Sequence, residues 1–266
     1  PGIQLTAKKI LQYSIILLGF GMNLFEILAV GSQSLLIIVS TIGTALITAY
    51  ILSRIMNIER DIATLVGVGS SICGGSAIAA AAPVIKASDK DIAQSISVIF
   101  LFNFVAAFLF PALGGMLGFA DTGFGMWAGT AINDPSSVVA AGQTWASAHG
   151  SDTALNYATI VKLTRTLAII PICLGLAYIT SKTKNTAADV KITSIFPMFI
   201  LYFVIAAIFN TLAGESLPVL AQLPSIGKFM IAMAMAAIGL NTNLVSLVKS
   251  GGKPILLGLV CWIFIA

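Results

Sequence analysis

Long apolar runs separated by short polar loops govern what this 266-residue chain can become. About nine such runs can be read, at approximately 10–30, 33–53, 62–85, 92–117, 124–143, 156–180, 194–213, 226–248 and 254–266. A helix that crosses a bilayer needs roughly 20 apolar residues, and all but the last run reach that length. Only 9% of the residues are charged and 58% are hydrophobic, where a soluble domain carries about 25% charged residues. Mean hydropathy is +1.01. These figures predict an all-α, polytopic transmembrane bundle forming a single domain over residues 1–266, with the lipid bilayer as its solvent. The start at Pro1-Gly2 and the end inside an apolar run, Cys261 to Ala266, suggest that residues are missing at both ends.

The net charge of +4 follows orientation rather than nucleic-acid binding. If the runs alternate across the bilayer, one side collects Lys8, Lys9, Arg54, Arg60, Lys182, Lys184, Lys191, Lys249 and Lys253, and the other Lys86, Lys90 and Lys228. Nine against three predicts a cytoplasmic start for the first run. No basic patch interleaved with aromatics and no Gly-Lys-Ser/Thr phosphate loop is present. Three scattered cysteines (Cys73, Cys173, Cys261) and one histidine, His149, make neither a disulfide framework nor a Cys/His metal cluster. No cofactor is expected.

Two runs carry helix-breaking chemistry. Residues 67–76 hold Gly67, Gly69, Ser70, Ser71, Cys73, Gly74, Gly75 and Ser76 before an alanine-rich stretch. Each glycine costs a helix about 1 kcal/mol relative to alanine, so the run is expected to break, with Ser76 capping its second half. The other run contains Asn133-Asp134-Pro135. Asp before Pro is a helix-start signal, here at a depth where a carboxylate must be paired or hydrated. Close packing through small residues explains the first run equally, and an interfacial position for Asp134 explains the second.

Lys162 and Arg165 lie three residues apart within 156–180, on one helix face. They cannot face lipid. Asp134 could pair with one of them, which leaves a net positive pocket; Lys162 could instead snorkel. Asn241 and Asn243 sit in 226–248, where they would line a site or join helices. Half-helices that begin inside a membrane aim free N–H groups at a bound anion. The predicted substrate-binding set is therefore Ser70, Ser71, Cys73, Gly74, Ser76, Asn133, Asp134, Lys162, Arg165, Asn241 and Asn243.

The stretches Gly69-Ser70-Ser71-Ile72-Cys73-Gly74, Ser76-Ala77-Ile78-Ala79-Ala80 and Pro83-Val84-Ile85-Lys86-Ala87 resemble the YeiH-like family, whose members carry the name sulfate exporter. Gly129-Thr130, Ser137 to Gly142 and Ala232 to Leu240 agree with it; Asp134-Pro135-Ser136 departs from it. The resemblance implies a bacterial inner-membrane protein of about eleven helices, with about two of them before Pro1. More distant similarity to bile-acid/sodium symporters and NhaA-type antiporters implies inverted five-helix repeats, with 62–85 crossing 226–248. The expected function is a secondary carrier, not an enzyme, exporting a small inorganic or organic anion (sulfate, sulfite or a sulfonate) by alternating access. A proton or sodium is the candidate coupling ion, and a homo-oligomer is compatible with the sequence. The alternatives are cation/proton antiport through Asp134 and, more remotely, an intramembrane enzyme with Cys73 as nucleophile.

Overall fold

The computed structural model describes residues 9–184, 198–213, 220, 222–241 and 252–266, which are overwhelmingly helical with no strand among them. The longest element, α2 (Leu24–Met56), starts where Asn23 accepts a bond from the Phe25 N–H at 2.8 Å and stops where Asn57 turns left-handed. Its 33 residues extend about 50 Å at 1.5 Å per residue, so α2 tilts through or projects from a hydrocarbon core of about 30 Å. The expected spans 10–30 and 33–53 are thus replaced by a short α1 (Leu11–Gly19), a turn, and one continuous helix. Gly31 stays helical because a neighbour packs on it: Thr164 Oγ1 stands 3.2 Å from where its Cβ would be. Leu28, Leu36, Val39, Ile47, Ile51 and Ile55 are exposed along α2, as apolar groups facing lipid are.

The two runs expected to break do so, but each returns to the face of the molecule from which it came. Helix α3 (Arg60–Ser71) turns at Ile72-Cys73-Gly74 and returns as α4 (Gly75–Ile85). The Ile78 side chain lies 3.0 Å from a Cβ position on Gly69, and Ile85 lines the same recess as Arg60, Asp61 and Thr64. Both ends of this hairpin therefore share one face of the molecule. After α5 (Asp89–Met116) has crossed to the opposite face, α6 (Asp121–Ala131) and α7 (Pro135–His149) form a second hairpin. Its open end is pinned by Trp145 Nε1 donating to Asp121 Oδ1 at 2.8 Å and by Phe124 stacked on Trp145 at 4.0 Å. Two re-entrant hairpins thus enter from opposite faces. Irregular backbone at membrane depth is tolerated only where protein buries it, and Ile72, Cys73 and Gly74 at the first turn, with Ile132 and Asn133 at the second, are buried.

The remaining helices hold the hairpins in place. Helix α8 (Thr153–Thr166) runs parallel to α6, with Tyr157 and Val161 against Gly125 and Gly129. It continues through a tightened turn at Leu167–Ala168 into α9 (Ile169–Lys184), which ends beside the open end of the first hairpin. Short α1 packs against α10 (Met198–Ala213) and α11 (Leu223–Asn241), while α12 (Gly252–Ile265) packs on α2, α3 and α5. The break between α3 and α4 meets the break between α6 and α7; of the run 226–248 expected to cross 62–85, α11 is helical to Asn241 and residues 242–248 lie outside the described residues. Hairpin topology also moves Lys86 and Lys90 to the face that carries Arg54, Arg60 and Lys253. On the opposite face Lys228 is paired with Asp152.

Single cysteines at positions 60, 86 and 148, placed in a background lacking the three native thiols, discriminate hairpin from span. Membrane-impermeant maleimide should label Arg60→Cys and Lys86→Cys from the same side and Ala148→Cys from the other. Labelling of positions 60 and 86 from opposite sides would restore a through-spanning segment.

Candidate functional site: two hairpin tips joined by buried cations

A helix ends with carbonyls that have no intrahelical donor and with roughly half a negative charge. Helices α3 and α6 both end inside the protein. Arg165, 0% exposed, serves both: Nε donates to the Ser71 carbonyl at 2.7 Å, an Nη to the Ser70 carbonyl at 2.9 Å, and the other Nη to the Thr130 carbonyl. Lys162, one turn earlier on the same face of α8, donates to the Ile72 carbonyl at 3.1 Å. Both cations thus lie at the ends of helices whose dipoles favour positive charge. The three-residue spacing seen in the sequence places them side by side, and neither snorkels, Lys162 being 1% exposed.

The returning halves begin at the same place with the opposite polarity. Asp134 caps α7 through the Ser136 N–H at 2.9 Å and also accepts from the Ser136 hydroxyl. Pro135 occupies the first helical position, as its sequence signal predicts. Asp134 therefore lies at a hairpin tip rather than in an interfacial loop. Among the described residues no ion pair joins it to Lys162 or Arg165. Helix α4 begins differently. Its cap is Gly74 at φ +67° with no side-chain bond to the first turn. The expected capping by Ser76 is corrected: Ser76 is exposed and its hydroxyl donates backwards, to the Cys73 carbonyl at 3.0 Å, with Cys73 Sγ at 2.9 Å.

Asn103, midway along α5, ties the tips together. Its Oδ1 accepts from the backbone N–H groups of Asn133 and Asp134 at 3.1 and 3.2 Å. Its Nδ2 is 3.3 Å from the Cβ position of Gly74, and Asp134 Cβ is 3.5 Å from the same point. Sequence reasoning missed Asn103. The signal was present, because it is a lone amide in Phe102-Asn103-Phe104, where a polar group needs a partner. Of the predicted set, Ser70, Ser71, Cys73, Gly74, Ser76, Asn133, Asp134, Lys162 and Arg165 gather at this junction. Ser71 turns its hydroxyl to the Val68 carbonyl, whereas Ser70 Oγ and both side-chain polar atoms of Asn133 are buried without a protein partner. Asn241 closes α11, its side chain outside the described atoms, and Asn243 lies outside the described residues.

Removing Arg165 would leave three buried carbonyls unanswered. Arg165→Met should lower unfolding stability by roughly 3–5 kcal/mol, the usual cost of breaking a buried charged network. Lys162→Met removes one charge-assisted bond and should cost about 1.5–3 kcal/mol. Thermal unfolding in detergent orders the two variants, and a larger loss for Lys162→Met would contradict the clamp geometry.

The comparisons with known proteins agree with a membrane protein. The family model described as conserved hypothetical protein 698 matches residues 1–258. The UPF0324 membrane protein spyM18_1033 of Streptococcus pyogenes serotype M18 is 56% identical over 99% of this chain and 79% of its own length. FN0533 of Fusobacterium nucleatum, also a UPF0324 membrane protein, is 53% identical over 100% of this chain and 81% of its own length. A UPF0324 membrane protein of Streptococcus mutans is 56% identical over 99% of this chain. No solved structure matches. With a family model and relatives of this similarity covering the chain nearly end to end, the protein belongs to the UPF0324 family of membrane proteins.

Proposed function

We propose that this protein is a secondary transporter for a small anion of the sulfate, sulfite or organic sulfonate class, working by alternating access in the bacterial inner membrane. The observation that carries the reading is the meeting, inside the membrane, of two hairpin tips that open to opposite faces. A substrate held between such tips can be uncovered towards either side by movement of one hairpin against its surroundings. The balance of charge favours an anion. Lys162 and Arg165 bring two positive charges and Asp134 one negative. The four helix ends, two of each polarity at about half a charge each, cancel. About one positive charge is left over.

The face carrying Arg54, Arg60, Lys86, Lys90 and Lys253 is then cytoplasmic. Cation/proton antiport would need Asp134 free to bind the cation, but its carboxylate already caps α7. An enzyme with Cys73 as nucleophile lacks support, since its Sγ meets the Ser76 hydroxyl and His149 caps the far end of the second hairpin.

The full-length protein should melt at higher temperature in potassium sulfate, potassium sulfite or a sulfonate than in potassium chloride of equal ionic strength. At ten times the dissociation constant a ligand adds about 1.4 kcal/mol to the native state. Stabilisation by sodium or lithium alone, lost in Asp134→Asn, would replace the anion carrier by a cation antiporter.

A further inference from the structure

Three of the four helix ends at the junction have their charge answered by a side chain. Arg165 and Lys162 serve α3 and α6, and Asp134 serves α7. The exception is the start of α4. Its eleven residues begin at Gly75 without a capping side chain, and helix geometry gives the N–H groups of its first turn no acceptor within the helix. A bare helix start is common, but here a second group points at it. Asn103 is 2% exposed and its Nδ2 has no partner. Its orientation is not a free choice, because two backbone N–H groups donate into Oδ1. The amide N–H₂ therefore faces Gly74, at a point that Ile99 Cγ2 and Asp134 Cβ also approach, at 3.3 and 3.5 Å. A buried donor left unpaired costs about 1–3 kcal/mol, and so demands an explanation.

We propose that the substrate oxyanion is bound at the start of α4, its oxygens accepting from the N–H groups of Gly75 and Ser76 and from Asn103 Nδ2, while Arg165 and Lys162 hold the tips and supply potential without touching it. The assignment rests on the anion-carrier reading above and changes which residues do the binding. Gly75 is half-buried and Ser76 exposed, so the oxyanion reaches their two N–H groups from the open side of α4, beside Phe100, which lies 3.4 Å from a Cβ position on Gly75, while the buried Asn103 Nδ2 meets it from inside the junction. Asn133 adds a buried, unpaired amide at the same junction, with both a donor and an acceptor to offer. That suits an oxyanion carrying a hydroxyl or amino group, such as hydrogensulfite or an aminosulfonate. Gly74 is required twice over. Its φ of +67° disfavours any side chain, and a Cβ would crowd Asn103 Nδ2 at 3.3 Å.

Two variants of the full-length protein test the assignment, with potassium sulfate, potassium sulfite and taurine as probes. Asn103→Asp keeps an oxygen for the two backbone donors but replaces the donor facing Gly74 by a negative charge. Ser76→Asp places a carboxylate in the first turn of α4, where it satisfies the free N–H groups in place of the ligand. The expected result is a rise of at least tenfold in the concentration of each effective probe needed for stabilisation in both variants. Anion-free Ser76→Asp should in addition melt above the wild type. Ser76 is exposed, so this variant decides the question even if Asn103→Asp does not fold. Wild-type response to the probes in Ser76→Asp would place the oxyanion elsewhere and overturn this assignment while leaving the carrier reading standing. Absence of any response in the wild type would overturn both.

Discussion

Everything at the centre of this protein depends on one guanidinium group. Two helices terminate in a region from which water is excluded, and their last carbonyls need donors. The planar fork of Arg165 meets both ends at once. A lysine could not do this, because its ammonium is a point charge without a fork geometry. Among the described residues no hydrogen bond runs directly from one hairpin to the other, so their junction depends on Arg165 and Lys162 of α8 and on Asn103 of α5. Thr164 and Thr166, on either side of Arg165 in the chain, turn their hydroxyls back onto the helix's own carbonyls at Ile160 and Lys162.

The division of labour at the junction follows from polarity. Cations belong at helix C-termini and carboxylates at N-termini, and the side chains are distributed in that way at three of the four ends. A buried arginine in a transporter is readily taken for a substrate ligand. Here three of its N–H groups already have acceptors, and the unused donors at the junction are uncharged: the amides of Asn103 and Asn133 and the Ser70 hydroxyl. On the proposed anion-carrier reading, charge would set the potential of the site and neutral groups would make the contacts.

Much of this was legible in the chain. The glycine and serine density at 67–76 marks the first break, Asp134-Pro135 marks the second, and the three-residue spacing of Lys162 and Arg165 puts both on one face. Direction was not legible. Helices α3 and α4 together are as long as one membrane span, and hydropathy measures length without saying whether a chain continues or returns. The same ambiguity misplaced Lys86 and Lys90. The runs 10–30 and 33–53 divide within the long helix α2, which continues through Gly31 where Thr164 of α8 approaches. Ser76 has the chemistry of a cap, but the turn bends its hydroxyl towards Cys73 instead.

The separation in sequence between the clamp and the carbonyls it clamps bears on how the molecule is made. Ser71 leaves the ribosome 94 residues before Arg165. At ordinary elongation rates of about 5–20 residues per second, that is a delay of roughly 5–20 s. During that interval the first hairpin cannot settle at its final depth, since the ends of α3 have no donor and lipid offers none. It has to wait at the water interface or within the insertion machinery until α8 arrives. The order of synthesis therefore makes the settling of this hairpin a delayed event governed by a residue far downstream.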